Sequence, residues 1–203
     1  MTNNTPEMID IVFDLDGGML PAAYPFALWE ALIHRVPRLE EEKFAGVLPL
    51  RATENKEGVL LTKRTKLVLR LPTTLADHTT ARLTGQQLDI AGSTLRLVAA
   101  KARPIQPYPT IHAQLVTGAS DEALFMEHIN TQLSEMKIIA KLICGKRRTI
   151  SGDHRSIHGY SLVVHDLKPE NSLQLQYAGL GENRQFGCGI FIHYKVISGL
   201  SED

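Results

Sequence analysis

Residues 179 to 189 read Gly-Leu-Gly-Glu-Asn-Arg-Gln-Phe-Gly-Cys-Gly, two Gly-apolar-Gly triplets separated by five residues that include Arg184. Glycine lets a backbone pass close to a ligand, and successive N–H groups in such a turn form a concave nest for an anion. An arginine within the turn adds a cation able to pair with phosphate. On that chemistry Gly181, Arg184, Gly187 and Gly189 are candidates to contact a phosphate-bearing ligand. The same glycines also suit a helix C-cap at Gly179 followed by a strand start, and spacing alone leaves both readings open.

Histidine is the other residue to weigh, because its ordinary pKa of ~6.5 lets it take and return a proton near neutrality. Of the eight histidines, His34 is the only one before His78. Helical geometry groups it with Ala27 and Glu30, away from the apolar Phe26, Trp29 and Ile33, so it should be exposed. It falls in the last turn of its helix, where the helix dipole favours a cationic side chain, with Arg35 and Arg38 nearby to hold an anion. A solvated histidine at a helix end fits the same facts. Tyr24 opens that helix and either assists or packs. His154 and His158 flank an expected loop, Ser151 to Ser156, in which Gly152, Asp153 and Arg155 suggest solvent exposure. His78 and His128 fall on helices, and His112, His165 and His193 on strands. Without a His-x3-His or paired-carboxylate spacing, no catalytic metal and no cofactor are expected.

These residues must be positioned by a repeated set of elements. The first half reads as a strand at Met8–Leu15, a helix at Phe26–Val36 bounded by Pro25 and Pro37, and strands at Val47–Leu50, Gly58–Thr62 and Lys66–Leu71. A helix opened by Pro72 and ended by Gly85 follows, then strands at Gln87–Ile90 and Leu95–Ala99. The second half restarts with a strand at Thr110–Val116, a helix capped by Ser120, strands at Ile138–Ile143 and Tyr160–His165, a helix from Pro169 to Gly179, and a strand at Cys188–Val196. The first helices begin 95 residues apart, at Pro25 and Ser120, and the second at Pro72 and Pro169, 97 apart. The expectation is an α+β protein of two tandem ferredoxin-like units with antiparallel sheets, residues 1–102 and 103–203, joined by the Pro-rich Arg103–Pro109.

The 203 residues, 43% of them apolar, can bury a real core. The 22 basic and 22 acidic residues cancel, so no overall field draws the chain to nucleic acid or membrane, and a polyanion must be met by a local patch. Two such patches are Lys63, Arg64, Lys66 and Arg70, and Lys141, Lys146, Arg147 and Arg148. Two cysteines and no apolar run of membrane-spanning length point to a cytoplasmic protein without a membrane partner.

A basic Gly-h-Gly-x5-Gly-h-Gly loop near the C-terminus, after a doubled ferredoxin-like pattern, resembles the sixth CRISPR-associated protein family of the RAMP superfamily, the endoribonucleases of precursor CRISPR RNA. The phrases Leu142-Ile-Cys-Gly-Lys146, His158-Gly-Tyr-Ser-Leu162 and Leu167-Lys-Pro-Glu-Asn-Ser-Leu173 resemble a compact bacterial branch of it. The resemblance implies cleavage of CRISPR repeat RNA without metal, leaving a 2′,3′-cyclic phosphate and a 5′-hydroxyl. It implies a catalytic histidine on the first helix or the loop after it, which is His34. Tyr24 matches a place where some relatives carry His or Tyr.

Such a reaction needs a base for the 2′-hydroxyl, cations for the phosphorane oxygens and an acid for the departing oxygen. Arg35 and Arg38 are expected to hold phosphate beside His34. Gly145 suggests a hairpin tip at Cys144–Arg148 that carries Lys146, Arg147 and Arg148 into the groove of an RNA stem-loop, with His154 and Arg155 as supporting contacts. Aromatic residues on the strands are few, so recognition by shape and phosphate is expected rather than base stacking. Two rival readings are a catalytically inactive subunit that delivers repeat RNA to a CRISPR effector complex, and a small regulatory protein that binds a nucleotide in the glycine loop.

Overall fold

Apolar Ile11 and Phe13 alternate with Asp10 and Asp14 along β1 (Met8–Gly17), the central strand of a five-stranded antiparallel sheet. These positions come from a computed structural model that describes residues 5–55, 58–152 and 154–194. The short β2 (Met19–Leu20) leads into helix α1 (Tyr24–Arg35), and after Pro37 a single turn, α2 (Arg38–Glu41), precedes β3 (Gly46–Val47). A small hairpin of β4 (Thr53–Asn55) and β5 (Gly58–Leu60) pairs with β2 as a separate three-stranded sheet. The half is completed by β6 (Lys66–Pro72), α3 (Thr73–Leu83), β7 (Gln87–Ile90) and β8 (Ser93–Pro104).

The large sheet runs β3-β6-β1-β8-β7. Its buried face carries Ile11, Phe13, Leu67, Leu69 and Leu71, and it is covered by Leu28 and Leu32 of α1 and Ala76 and Leu83 of α3. Cross-strand partners share a face. The β1–β6 register therefore sets Asp10 opposite Arg70 and Asp14 opposite Lys66 on the other face.

In the second half β9 (Ile111–Thr117), α4 (Glu122–Glu135), β10 (Lys141–Ser151), β11 (Ser156–His165), α5 (Pro169–Ala178) and β12 (Ile192–His193) form a sheet of order β10-β11-β9-β12 with its own core around Phe125, Leu162, Leu175 and Phe191. Reading β1-α1-β3-β6-α3-β8 and β9-α4-β10-β11-α5-β12 as equivalent units, both sheets place their strands in the order second, third, first, fourth. That is the ferredoxin-like arrangement expected from the doubled pattern.

Several boundaries differ from expectation. Strand β8 continues through Arg103 and Pro104, which pair with Asp10 and Ile9, so the first sheet extends into the expected joint. Helix α4 is capped by Asp121, whose carboxylate accepts the Leu124 N–H at 3.0 Å, while the Ser120 carbonyl accepts the Tyr160 hydroxyl. The last strand is only Ile192–His193, and Val196 lies outside the described residues.

The largest difference concerns β10, which runs on to Ser151 and pairs with a β11 that starts at Ser156. Cys144–Arg148 is thus strand interior, not a hairpin tip. Gly145 serves a bulge between Cys144 and Arg147, where a Cβ would collide with the Ser161 hydroxyl. The true tip lies between Ser151 and Ser156, the segment expected to be a loop, and its Asp153 is outside the described residues.

Two buried arginines join the halves. Arg70, 2% exposed, pairs with both carboxylate oxygens of Asp10 and donates to the carbonyls of Gln176 and Phe191 across the junction. Arg184 donates to the carbonyls of Phe44 and Ala178, one in each half. Because burying a charge is costly unless it is paired, these contacts favour one mutual arrangement of the sheets, although the Arg184 Nη2 is buried without a hydrogen-bond partner among the described residues.

Candidate active groove and nucleic-acid surface

Prolines bound α1: Pro25 sits in its first turn and Pro37 follows its end. The helix buries Phe26, Leu28 and Leu32 and leaves Glu30, His34 and Arg35 exposed. Trp29, Glu30 and Ile33 form one wall of a groove of about 400 Å³, closed by Leu39 and Lys43 after α1 and by Arg155, Gln185 and Phe186 from the second half. His34 is exposed one helical turn beyond Glu30 and is not itself among the residues that line the groove, which also include Glu40 and Glu42. Its neighbour Arg35 reaches the Gln87 carbonyl at 3.4 Å, and Arg38 is exposed at the start of α2. The Tyr24 hydroxyl, half-buried, accepts the Leu50 N–H at 3.2 Å, so this side chain ties the segment after β3 to the helix.

The glycine-rich loop departs from the phosphate nest expected of it. Arg184 is 7% exposed, its guanidinium turned inward to the Phe44 and Ala178 carbonyls. Burial, with the positive charge of Arg70 behind it, pulls its pKa down to about 10. The expected phosphate contact by Arg184 is thus corrected: its cation is spent inside the protein.

Gly187 and Gly189 are buried too. With φ of +91° and +64° they lie in the left-handed region, Gly187 packed on Pro49 and Gly189 with no room for a Cβ beside the Leu180 carbonyl. Their close approach is to this chain, which corrects the expectation that a ligand backbone passes them. Their N–H groups donate to the Arg184 and Leu115 carbonyls. Gly181 is exposed, yet its N–H donates to the Gln132 amide and that of Glu182 to the Thr117 hydroxyl.

The second basic cluster faces outward. β10 is an edge strand, and Lys141, Lys146, Arg147 and Arg148 are all exposed. Arg147 opposes Tyr160 and Arg148 opposes Gly159, so the two arginines point to opposite faces of the sheet. At the tip His154 and Arg155 are exposed, and the Gly152 N–H donates to the Arg155 carbonyl at 2.8 Å to close the turn. The Arg155 guanidinium lies over the rings of Phe26 and Phe186, 4.2 and 4.5 Å from their centroids.

A second cavity of about 470 Å³ lies between the open faces of the two sheets. Arg51, Arg64, Lys66 and Arg103 line it along with Asp10, which accepts from Arg103 at 3.1 Å. Sequence adjacency grouped Lys63, Arg64, Lys66 and Arg70, of which Lys63 does not line the cavity. Arg51 and Arg103 join them through topology, and Arg70 also borders the cavity, although it is buried and paired with Asp10.

The remaining histidines are dispersed. His193 stacks on Tyr108 at 4.0 Å, and His165 contacts Asp166 at 3.2 Å. His112 is half-buried, and burial followed by the Arg51 charge lowers its pKa. Among the described residues no three His, Cys, Asp or Glu side chains converge as metal ligands, and no helix is long and apolar enough to cross a membrane.

A family model described as Cas6 Crispr matches residues 9–196. The CRISPR-associated endonuclease Cas6 of Myxococcus xanthus (strain DK1622) is 34% identical over 191 residues, covering 93% of this chain and 83% of that protein. Among solved structures, a RAMP protein described as binding different RNA substrates aligns with a TM-score of 0.71 at 12% identity, over 90% of this chain and 98% of the other. A Cas6-related protein from Pyrococcus furiosus aligns with a TM-score of 0.68 at 13% identity, over 95% of this chain and all of the other.

Proposed function

Because the chain belongs to the Cas6 family of CRISPR proteins, we propose that it is a repeat-specific endoribonuclease that cuts precursor CRISPR RNA by metal-independent attack of a ribose 2′-hydroxyl. In this reaction the 2′-oxygen bonds to the adjacent phosphorus and the bond to the 5′-oxygen breaks. One proton leaves the 2′-hydroxyl and another reaches the departing oxygen. The products carry a 2′,3′-cyclic phosphate and a 5′-hydroxyl.

The observation that carries this reading is the exposed His34 in the last turn of α1, with exposed Arg35 and Arg38 beside it in the chain and one helical turn beyond Glu30, which lines a groove that also holds Glu40, Glu42, Lys43 and Arg155. An imidazole with solvent access can serve as base or acid, and fixed cations stabilise the charge that develops on the phosphorane. Tyr24 acts on the same helix by anchoring the chain at Leu50. Arg35, Arg38, Lys146, Arg147, Arg148, His154 and Arg155 supply the phosphate contacts, whereas the N–H of exposed Gly181 is already donated to Gln132. In this arrangement the first half carries the proton-transfer helix, the second half supplies most RNA contacts, and the cleft with Arg51, Arg64 and Arg103 offers a further track for phosphate.

The test is cleavage of repeat RNA in EDTA, with and without a deoxyribose at the cut site. Wild-type protein should cut the all-ribose substrate in EDTA and bind but not cut the deoxy substrate. Loss of activity in EDTA, or cutting of the deoxy substrate, contradicts the mechanism. Tight repeat binding without cutting of either substrate identifies an inactive RNA-delivery subunit.

A further inference from the structure

Three distant segments meet at Arg155. Phe26 lies in the first turn of α1, Phe186 lies within the glycine-rich loop, and Arg155 closes the β10–β11 tip. The two rings form a wedge, 4.9 Å between centroids and inclined by 56°, and the guanidinium caps both. Gly152 completes the fit, since a Cβ there would stand 2.8 Å from the Phe26 ring. A guanidinium stacked by its face keeps its N–H groups, which lie in its plane, free for a phosphate. Among the described residues no carboxylate or carbonyl takes the side-chain N–H groups of Arg155, although it lines the groove beside α1.

The glycine loop, by contrast, has little left to offer a ligand. The N–H groups of Leu180, Gly181, Glu182, Phe186, Gly187, Cys188 and Gly189 all donate within the protein, and Arg184 is buried. Its 3-10 turn at Arg184–Phe186, flanked by Asn183 and Gly187 in left-handed conformations, nonetheless places Phe186 in the groove wall.

We propose that Phe26 and Phe186 are positioning residues that preset Arg155 as a phosphate clamp, so that the glycine-rich loop serves RNA through Phe186 and Arg155 instead of by touching it. This rests on the RNA-processing reading above. A preset cation loses less side-chain freedom on binding than a free one, so its contact is stronger for the same charge.

The test is a mutant cycle read by repeat-RNA affinity and its salt dependence, using Arg155→Ala, Phe186→Leu and the double variant. Arg155→Ala should weaken binding about tenfold and reduce the salt slope by roughly 0.7 to 0.9 on log scales, as for one lost phosphate contact. Phe186→Leu, which keeps apolar volume without an aromatic face, should weaken binding severalfold. In the Arg155→Ala background it should have no further effect. Arg155→Lys, still charged but unable to stack as a plane, should fall between wild type and alanine.

A purely structural role for Phe186 would lower affinity equally in both backgrounds, and that additivity would overturn the proposal, as would an Arg155→Ala variant with wild-type affinity and salt slope. RNA carrying one uncharged methylphosphonate at a time supplies a second measurement. Wild type should lose affinity at one position to which Arg155→Ala is indifferent, and equal losses at every position contradict the clamp. If wild type binds no repeat RNA, the functional reading fails and the clamp with it; if it binds and cuts but ignores Arg155, only the clamp is lost.

Discussion

The glycine-rich loop and the β10–β11 hairpin contain the same ingredients, glycine beside arginine, and use them in opposite ways. In the loop, Arg184 turns inward and Gly187 and Gly189 press against Pro49 and the Leu180 carbonyl. In the hairpin, Gly145 makes a bulge, Gly152 seats the tip on Phe26, and Arg147, Arg148 and Arg155 remain exposed. What separates the two regions is what surrounds them. The loop sits at the junction of two cores and must satisfy its own buried groups. An edge strand has neighbours on one side only and can spend its cations on a partner.

That contrast breaks most readily at Gly189. Gly189→Ala drives a Cβ toward the Leu180 carbonyl at a left-handed φ, so it should cost about 3 kcal/mol or more and be seen as a large loss of melting temperature. Wild-type melting would show that the loop is not tightly packed.

Arg184→Ala comes next. Removing two buried charge-assisted hydrogen bonds, partly offset by release of a buried charge, should cost about 2 kcal/mol, or a fall in Tm of ~4–8 °C. A stable variant that has lost RNA affinity would restore Arg184 to the RNA surface. Reversal of Arg147 or Arg148 to Glu should do the converse, leaving Tm within about 1 °C but weakening repeat binding about tenfold and lowering the salt slope by ~0.7–0.9. Because the two side chains lie on opposite sheet faces, single reversals also reveal which face meets RNA. If both leave binding intact, the β10 edge is only a solvated surface.

The smallest effect concerns His112. Its folded pKa is lowered by burial and then by Arg51, so the unfolded chain binds the proton more readily. Stability from this site is present above the unfolded value of ~6.5 and is lost as pH falls through it toward the depressed folded value. His112→Gln should flatten the acid side of the profile by a fraction of a kcal/mol in denaturant titrations at pH 7.5 and 5.5. An unchanged profile would remove His112 as its cause.

Sequence alone carried the fold well, and for a physical reason. The alternation in Met8–Leu15 and Lys66–Leu71, and prolines at positions 25, 72 and 169, act locally, so strands and helices could be placed and the doubled order recognised. The exposure of His34 was legible for the same reason, since 100° per residue decides a helix face. The fate of Arg184 was not. Whether a loop arginine meets solvent or a carbonyl 140 residues away depends on how the halves dock, and no spacing encodes Phe44 as its partner. Gly145 misled because a glycine between polar residues suits a turn as well as a bulge, and only register with β11 separates them. The Phe26–Phe186–Arg155 cluster joins positions with no periodic relation. An aromatic residue within a basic glycine loop was its only local trace.

The central claim is that the exposed end of α1 performs proton transfer beside a groove built by both halves. Single-turnover cleavage of repeat RNA by His34→Ala, with binding measured on the same preparation, tests it most directly. The rate should fall at least ~10²-fold below wild type with affinity within about twofold, the expected signature of a lost acid–base group. A near-wild-type rate with intact binding would contradict the assignment and move the proton transfer away from His34.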